Sequence, residues 1–535
     1  MTRLVPLAFA VVVLAGAACT GGPAEPVSAL SLGDMACSLP HRELLRVRQG
    51  YDPRRSGELQ IVPRAPNFIG LSRSHSGPWD YLQEIPLLFY GPGHVPEVGT
   101  AGPATMADVA PTLGAHLGFD LHATDGQVLQ SAVDPSAPVP KMIVVVVWDG
   151  GGMNVLNRHP DAWPFLESLI PQGVWYEGNV GSSPSVTPAI HATLGTGLFP
   201  ARHGLVDLRM RIGGEIVSAV DVGPEHLRRP SLADLYDRAM GNVPLVATVG
   251  FDEWHLTMGG RGAAFQGGDL DIAALSDEGD PFRGWYLPQA ETEAFTIPSY
   301  LGGFPGLRAE IRRLDLEDGT LDGKWLGQGG FEEPRDILRT PAYSRYQSDT
   351  LEELVTREGF GDDEVPDLLL TNFKQIDFIG HSWGMESRQM GQVVRSSDQA
   401  LEDLVALLDR EVGQGEWVLA LTADHGSTPP PSETGAFLID RTRLREDIEA
   451  RFDGDGDDRK LVDAPRVTQF WLNLRELEEN GYTLADVARF VLRYTKAQNA
   501  RDPSKIPEER RDDLLFAAAM PYTLLESGLP CLRGP

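Results

Sequence analysis

The chain has 535 residues, with 76 acidic and 46 basic side chains and three cysteines. A formal charge of -30 excludes binding of polymeric nucleic acid through a basic face. A composition of 42% hydrophobic and 23% charged residues excludes disordered and fibrous classes. Three cysteines are too few for a disulfide scaffold or a cysteine-rich zinc module.

The N-terminus reads as a targeting segment. Arg3 is followed by the apolar run 4–15 and then Gly16-Ala17-Ala18-Cys19. The run is too short to span a bilayer and has the shape of a secretory signal. Small residues directly before a cysteine resemble a bacterial lipoprotein signal. Residues 1–18 would then be removed and Cys19 would carry the lipid. The alternative is an ordinary cleaved signal and a secreted protein. Residues 19–36 read as a tether. The mature protein is expected outside the cytoplasm, held to the cell membrane by its lipid.

Five short apolar runs predict buried strands: 85–90, Met142–Trp148, 245–251, Asp367–Phe373 and Trp417–Thr422. Helical patterns at 106–117, Pro164–Leu169, 232–240, 348–357 and 390–408 lie between or after them. This alternation predicts a doubly wound, largely parallel α/β sheet flanked by helices. The stretch 255–346 is rich in glycine, proline and aromatics and has no strong period. It reads as an inserted cap over the sheet. A strand and helix pattern resumes at 465–500, so residues 37–535 read as a single domain.

Four spots carry chemistry. Asp149 ends a strand in VVVVWDGGG, where a ligand of an open α/β sheet would sit. Asp424 and His425 end the next strand in LALTADHG, a mixed donor pair that suits zinc or manganese. Asp377 and His381, four apart in KQIDFIGHSWG, share one face of a helical turn. Thr187 precedes Pro188, which makes it the N-cap of a helix, where N–H groups can hold a phosphate. Each spot alone also fits a turn, a surface ion pair or a capping hydroxyl.

Together these motifs resemble the alkaline phosphatase superfamily, in its type I phosphodiesterase/nucleotide pyrophosphatase branch. VVVVWDGGG, TPAIHATLGTGLFPARHG, DFIGHSWG and TADHG occur in the order of that branch. The resemblance implies that Thr187 is the nucleophile. It implies one metal held by Asp149, Thr187, Asp424 and His425, and a second held by Asp377, His381 and a further histidine. That histidine normally follows the Asp-His-Gly motif, yet no histidine follows His425.

The N-terminal stretch SRSHSGPWDYLQEIPLLFYGPGHVP resembles the missing C-terminal segment, and His75 takes the ligand's place. The chain therefore resembles a circular permutant of the family. Cys37 and Cys531 would flank the old covalent junction, and a disulfide between them would close it again. An oxidising compartment permits such a bond.

The implied activity is hydrolysis of a small phosphate ester at two divalent ions, zinc or else manganese, through a phosphothreonine. A phosphodiesterase or pyrophosphatase is the first reading. A phosphomonoesterase or a phosphonate or sulfate ester hydrolase is the second, and a non-catalytic lipid-anchored binding protein the third. Two departures bear on the substrate. Leu208 stands where the family carries a phosphate-gripping asparagine. Arg261, in MGGRGAAF, is the one basic residue near the place of the Lys-x-Arg pair of a monoesterase branch, and is the expected substrate-binding residue.

Overall fold

The computed structural model describes residues 31–70, 72–218 and 223–532. The segment read as a signal and Cys19 lie outside the described residues. The stretch read as a tether is already folded at its end. Ser31 caps the helix Leu32–Ala36, and Met35 and Ala36 are buried.

A ten-stranded sheet forms the centre. Met142–Trp148 lies in its middle, parallel to Asp367–Phe373 on one side and to Trp417–Thr422 on the other. Val246–Gly250 and Asp271–Ser276 extend the parallel set beyond Asp367–Phe373. Glu84–Tyr90 runs antiparallel between Trp417–Thr422 and Val174–Asn179, and Gly99–Thr105 closes that edge.

The middle strand is apolar at every position because both of its faces are covered. Val144, Val146 and Trp148 enter one core, packed with residues of the helices Pro341–Glu358 and Arg388–Leu408. Ile143, Val145 and Val147 enter the other, with residues of Val109–His116, Thr187–Thr196 and Leu232–Ala239. Side chains of a strand alternate faces, so one run of seven residues joins both cores. Burying each such Val or Leu stabilises the fold by about 1.5–3 kcal/mol.

The segment 255–346 is not all cap. Asp271–Ser276 pairs with Val246–Gly250 inside the main sheet, and Phe295–Thr296 pairs with Asp271–Ser276. Its alanine-rich sequence, DIAALS, gave little apolar signal.

A second sheet of four strands was not predicted. Leu59–Pro63 lies between Gln469–Leu472 and Phe516–Pro521, antiparallel to both, and Val462–Pro465 forms an edge. Residues from both ends of the chain thus build one small core, with Ile61, Phe470, Val487 and Phe516 in it. Beside it Cys37 and Cys531 form a disulfide, with Cα atoms 5.8 Å apart. Among the described residues no helix is long and apolar enough to cross a membrane.

One buried histidine makes the fold sensitive to acid. His203 accepts from the Leu205 N–H at 3.2 Å, and its Nε2 meets Thr193 Oγ at 3.1 Å. Burial pushes its pKa down to about 3. An unfolded histidine titrates near ~6.5, so between these values the unfolded chain holds the extra proton. Stability from this group is therefore lost as pH falls from about 6.5 towards 3. The melting temperature of His203→Gln should fall less steeply over that window than that of the wild type. Equal slopes would remove His203 as the cause.

Candidate active site

The functional side chains gather at one end of the main sheet because of strand direction. Five parallel strands, four of which carry the site, point their carboxyl ends the same way. Asp149, Lys374 and Asp424–His425 follow directly after three of them, and His255 follows shortly after the fourth. Glu84–Tyr90 runs the opposite way, so the loop before it, which carries His75, arrives at the same end. Val174–Asn179 runs with the parallel set and delivers the helix Thr187–Thr196 there.

Close approach of the loops needs glycine. Gly150 has φ +72°, and a Cβ there would lie 2.9 Å from the Asp377 Cα. The same loop donates its Gly150 N–H to Asp424 Oδ1 at 3.0 Å. The strand ends of Asp149 and Asp424 are thus tied by the backbone.

Two groups of possible metal ligands result. Asp149, Asp424 and His425 form the first and are fully buried. His75, Asp377 and His381 form the second, which opens to solvent on the His381 side. They adjoin: the rings of His75 and His425 stack 3.4 Å apart, and His425 Nε2 lies 3.8 Å from Asp377 Oδ1. The six ligands read from the sequence, His75 among them, are thus brought together from distant stretches. The seventh, Thr187, joins them through Lys374.

Second contacts aim the imidazoles. His75 Nδ1 sits 2.9 Å from the Ser185 carbonyl, and His425 Nδ1 sits 3.0 Å from the Gly426 carbonyl. Donation there leaves both Nε2 atoms as lone-pair donors facing the carboxylates. His425 Nε2 and Asp424 Oδ2 are buried without a hydrogen-bond partner. Orphaned buried donors and acceptors of this kind fit a divalent cation, and a set of nitrogen and carboxylate ligands suits zinc or manganese.

Asp149, His191 and His255 also lie close together, but their bonds give them a supporting role. His255 Nδ1 accepts from the Phe251 and Asp252 N–H groups at 3.2 and 2.9 Å. Its proton is then on Nε2, which faces Asp149 Oδ2 at 3.8 Å. His191 Nδ1 meets the Thr187 carbonyl at 2.9 Å, and its Nε2 meets Asn372 Nδ2 at 2.9 Å. Asn372 also donates to Asp149 Oδ2 at 3.0 Å. His191 and Asn372 thus tie the helix Thr187–Thr196 to Asp149.

Lys374 is the residue that sequence reading missed. Its Nζ donates to Asp149 Oδ1 at 2.8 Å and to Thr187 Oγ at 3.0 Å, and pairs with Asp377 Oδ2 at 2.9 Å. It is a buried cation between the two ligand groups and the hydroxyl. Burial opposes its charge, but Asp149, Asp377 and Asp424 outweigh that and raise its pKa. Burial likewise pushes Asp377 up, while His381 and Lys374 hold its carboxyl well below the usual range.

Two expectations are corrected. Thr187 is the first residue of the helix Thr187–Thr196, and Val186 occupies the N-cap with extended backbone. Pro188 is therefore the second helical residue, still in the first turn, where its missing N–H costs nothing. Arg261 does not join the site. Its guanidinium faces Asp234 at 3.6 Å and lies over the Phe265 ring, 4.9 Å from its centroid. At the asparagine position, Leu208 follows Asp207, whose carboxylate is taken by Gln469 at 3.0 Å and Arg466 at 3.4 Å.

A family model described as type I phosphodiesterase / nucleotide pyrophosphatase matches residues 143–512. The chain belongs to this family. The matched span holds Asp149, Thr187, Asp377, His381, Asp424 and His425, while His75 precedes it.

Among characterised relatives, the alkaline phosphatase PhoV of Synechococcus elongatus is 23% identical over 356 residues, 58% of this chain and 64% of its own. The alkaline phosphatase PafA of Elizabethkingia meningoseptica is 23% identical over 177 residues, 31% of this chain and 32% of its own. The chain thus spans about a third of PafA and just under two thirds of PhoV. The crystal structure of wild-type PafA superposes with a TM-score of 0.50 at 16% identity, covering 72% of this chain and 85% of that one. The fold is of the alkaline phosphatase type: an α/β fold with a large, mostly parallel sheet flanked by helices.

Proposed function

We propose that the protein is a metal-dependent hydrolase of small phosphate esters that acts through Thr187. The observation that carries this reading is the convergence of six metal-type ligands around the Thr187 hydroxyl and the Lys374 cation. Asp149, Thr187, Asp424 and His425 would hold one divalent ion, and His75, Asp377 and His381 the other. When bound, such ions lower the proton affinity of a nucleophile and neutralise phosphoryl oxygens.

The chain's own residues then do the following. Thr187 Oγ loses its proton to solvent and forms a bond to phosphorus, while the bond from phosphorus to the leaving oxygen breaks. The leaving group departs with the electron pair of that bond. Water hydrolyses the phosphothreonine, returning the Thr187 hydroxyl and releasing phosphate or a monoester. Lys374 donates to Oγ before attack and to the same oxygen when it leaves. Donors fixed where charge develops are generally the largest catalytic contribution. Substrate enters over His381, the more exposed side of the site.

A diester or pyrophosphate is the first substrate reading, after the family. A monoester is the second, favoured by the two relatives named alkaline phosphatases. The experiment is a panel of chromogenic phosphate diester, phosphate monoester and sulfate ester, with and without a chelator. Turnover of a phosphate ester should exceed that of the sulfate, stop with chelator and return with zinc or manganese. No chelator-sensitive turnover of any ester would favour a binding protein.

The same reading places the protein outside the cytoplasm, anchored through Cys19. The Cys37–Cys531 disulfide supports an oxidising compartment. It also takes the chain as circularly permuted. Support comes from His75, which precedes the family span yet sits against Asp377 and His381. Further support is the pairing of Leu59–Pro63 with Phe516–Pro521, which brings the two ends of the chain together.

A further inference from the structure

Three carboxylates outside the active site, two of them buried and that of Asp269 exposed, meet at one place in the fold. Asp237 is in the last turn of the helix Leu232–Ala239, and Asp269 and Asp271 flank the start of the strand Asp271–Ser276. One oxygen from each lies within 4.8 Å of the others. Asp237 is 4% exposed, and its Oδ1 is buried with no hydrogen-bond partner. Among the described residues no Lys, Arg or His forms an ion pair with any of the three. Nearby Arg261 faces Asp234, and Arg238 lies over the Phe265 ring.

The surroundings add to the deficit. The C-terminal end of a helix carries partial negative charge and disfavours carboxylates. The Asn242 carboxamide donates through its nitrogen to Asp237 Oδ2 at 3.3 Å and to the Gly267 carbonyl at 3.2 Å; it is neutral and leaves Asp237 Oδ1 unpartnered. Burial, then Asp269, raises the Asp237 pKa to about 7. Burial, then Asp237 and Asp234, raises that of Asp271 well above the usual range. The acidic loop at Asp453, Asp455 and Glu476 differs, because Arg459 Nε sits 3.0 Å from Glu476 there.

We propose that Asp237, Asp269 and Asp271 bind a divalent cation of the calcium class, with water completing its coordination on the exposed Asp269 side. Hard oxygen donors alone select calcium over the metals suited to the nitrogen-containing active site. Asp271 stands at the amino end of its strand, and the catalytic groups stand beyond the carboxyl ends of the sheet, so the two sites are separate. The ion would fasten the helix end to the strand start and stabilise the fold.

The test uses the enzyme loaded with its catalytic metals, titrated with calcium chloride by calorimetry and thermal melting, with magnesium chloride in parallel. One calcium per chain should bind, and the melting temperature should rise. The rise should be larger at pH ~8 than at pH ~5, where protons compete. Asp237→Asn should lose the calcium-dependent rise. Its calcium-free melting temperature should be no lower than that of the wild type, because a repulsive charge is gone. Asp271→Asn should lose the rise too. Hydrolysis by Asp237→Asn should match the wild type, which separates this proposal from the active-site reading. Absence of calcium uptake at millimolar concentration, magnesium uptake as tight as calcium, or wild-type binding by both variants would overturn it.

Discussion

Thr187→Ala should lose ester hydrolysis by at least about 10³-fold in kcat while keeping the fold and the metals. The hydroxyl sits on the first turn of a fully buried helix, and among the described residues its only hydrogen bond to a side chain is the one from Lys374. Removing one hydroxyl and one methyl group leaves Asp149, Asp424 and His425 in place. Metal content and circular dichroism should therefore match the wild type. Thr187→Ser keeps the oxygen and should keep part of the rate. Acid quenching of wild-type turnover should trap one phosphoryl group on a peptide containing Thr187. A Thr187→Ala enzyme within tenfold of wild type would remove the nucleophile assignment, whatever its metal content.

How far the sequence reached follows from burial. Met142–Trp148, Asp367–Phe373 and Trp417–Thr422 were legible to the residue because both faces of each strand are covered, so each is an unbroken apolar run. Val174–Asn179 was missed because it alternates buried with exposed positions, as VWYEGN. The second sheet was missed because its contacts join distant stretches. Leu59–Pro63 gains its partners only when Gln469–Leu472 and Phe516–Pro521 arrive, and FAAAMP by itself carries little signal. Carboxylates and histidines at strand ends were visible as motifs. Lys374 was not, although it stands three residues before Asp377 in KQIDFIGH. A lone lysine beside a strand reads as a solvated end. Only the fold shows it turned inward, onto three partners at once. Arg261 failed for the opposite reason. Its place near the family's Lys-x-Arg position suggested a substrate site, but Asp234 and Phe265 hold it elsewhere.

Lys374 therefore makes the second large prediction. Its ammonium touches the Thr187 hydroxyl and one carboxylate from each candidate ligand group. Lys374→Met keeps the length and apolar stem but removes the charge. Two effects should follow, with opposite senses. The rate should fall by about 10²-fold or more, as when a fixed donor to developing charge is lost. Metal binding should tighten, because one positive charge no longer competes for Asp149 and Asp377. The chelator concentration that halves activity should then rise in the variant even as its kcat falls. A role in packing alone would lower the melting temperature and loosen the metals together. The charge reading fails if the rate is unchanged, or if metals leave the variant more readily than the wild type. Lys374→Arg keeps the charge in a larger group within a buried space. It should retain the wild-type metal requirement more closely than methionine does, while losing rate through displacement of the hydroxyl.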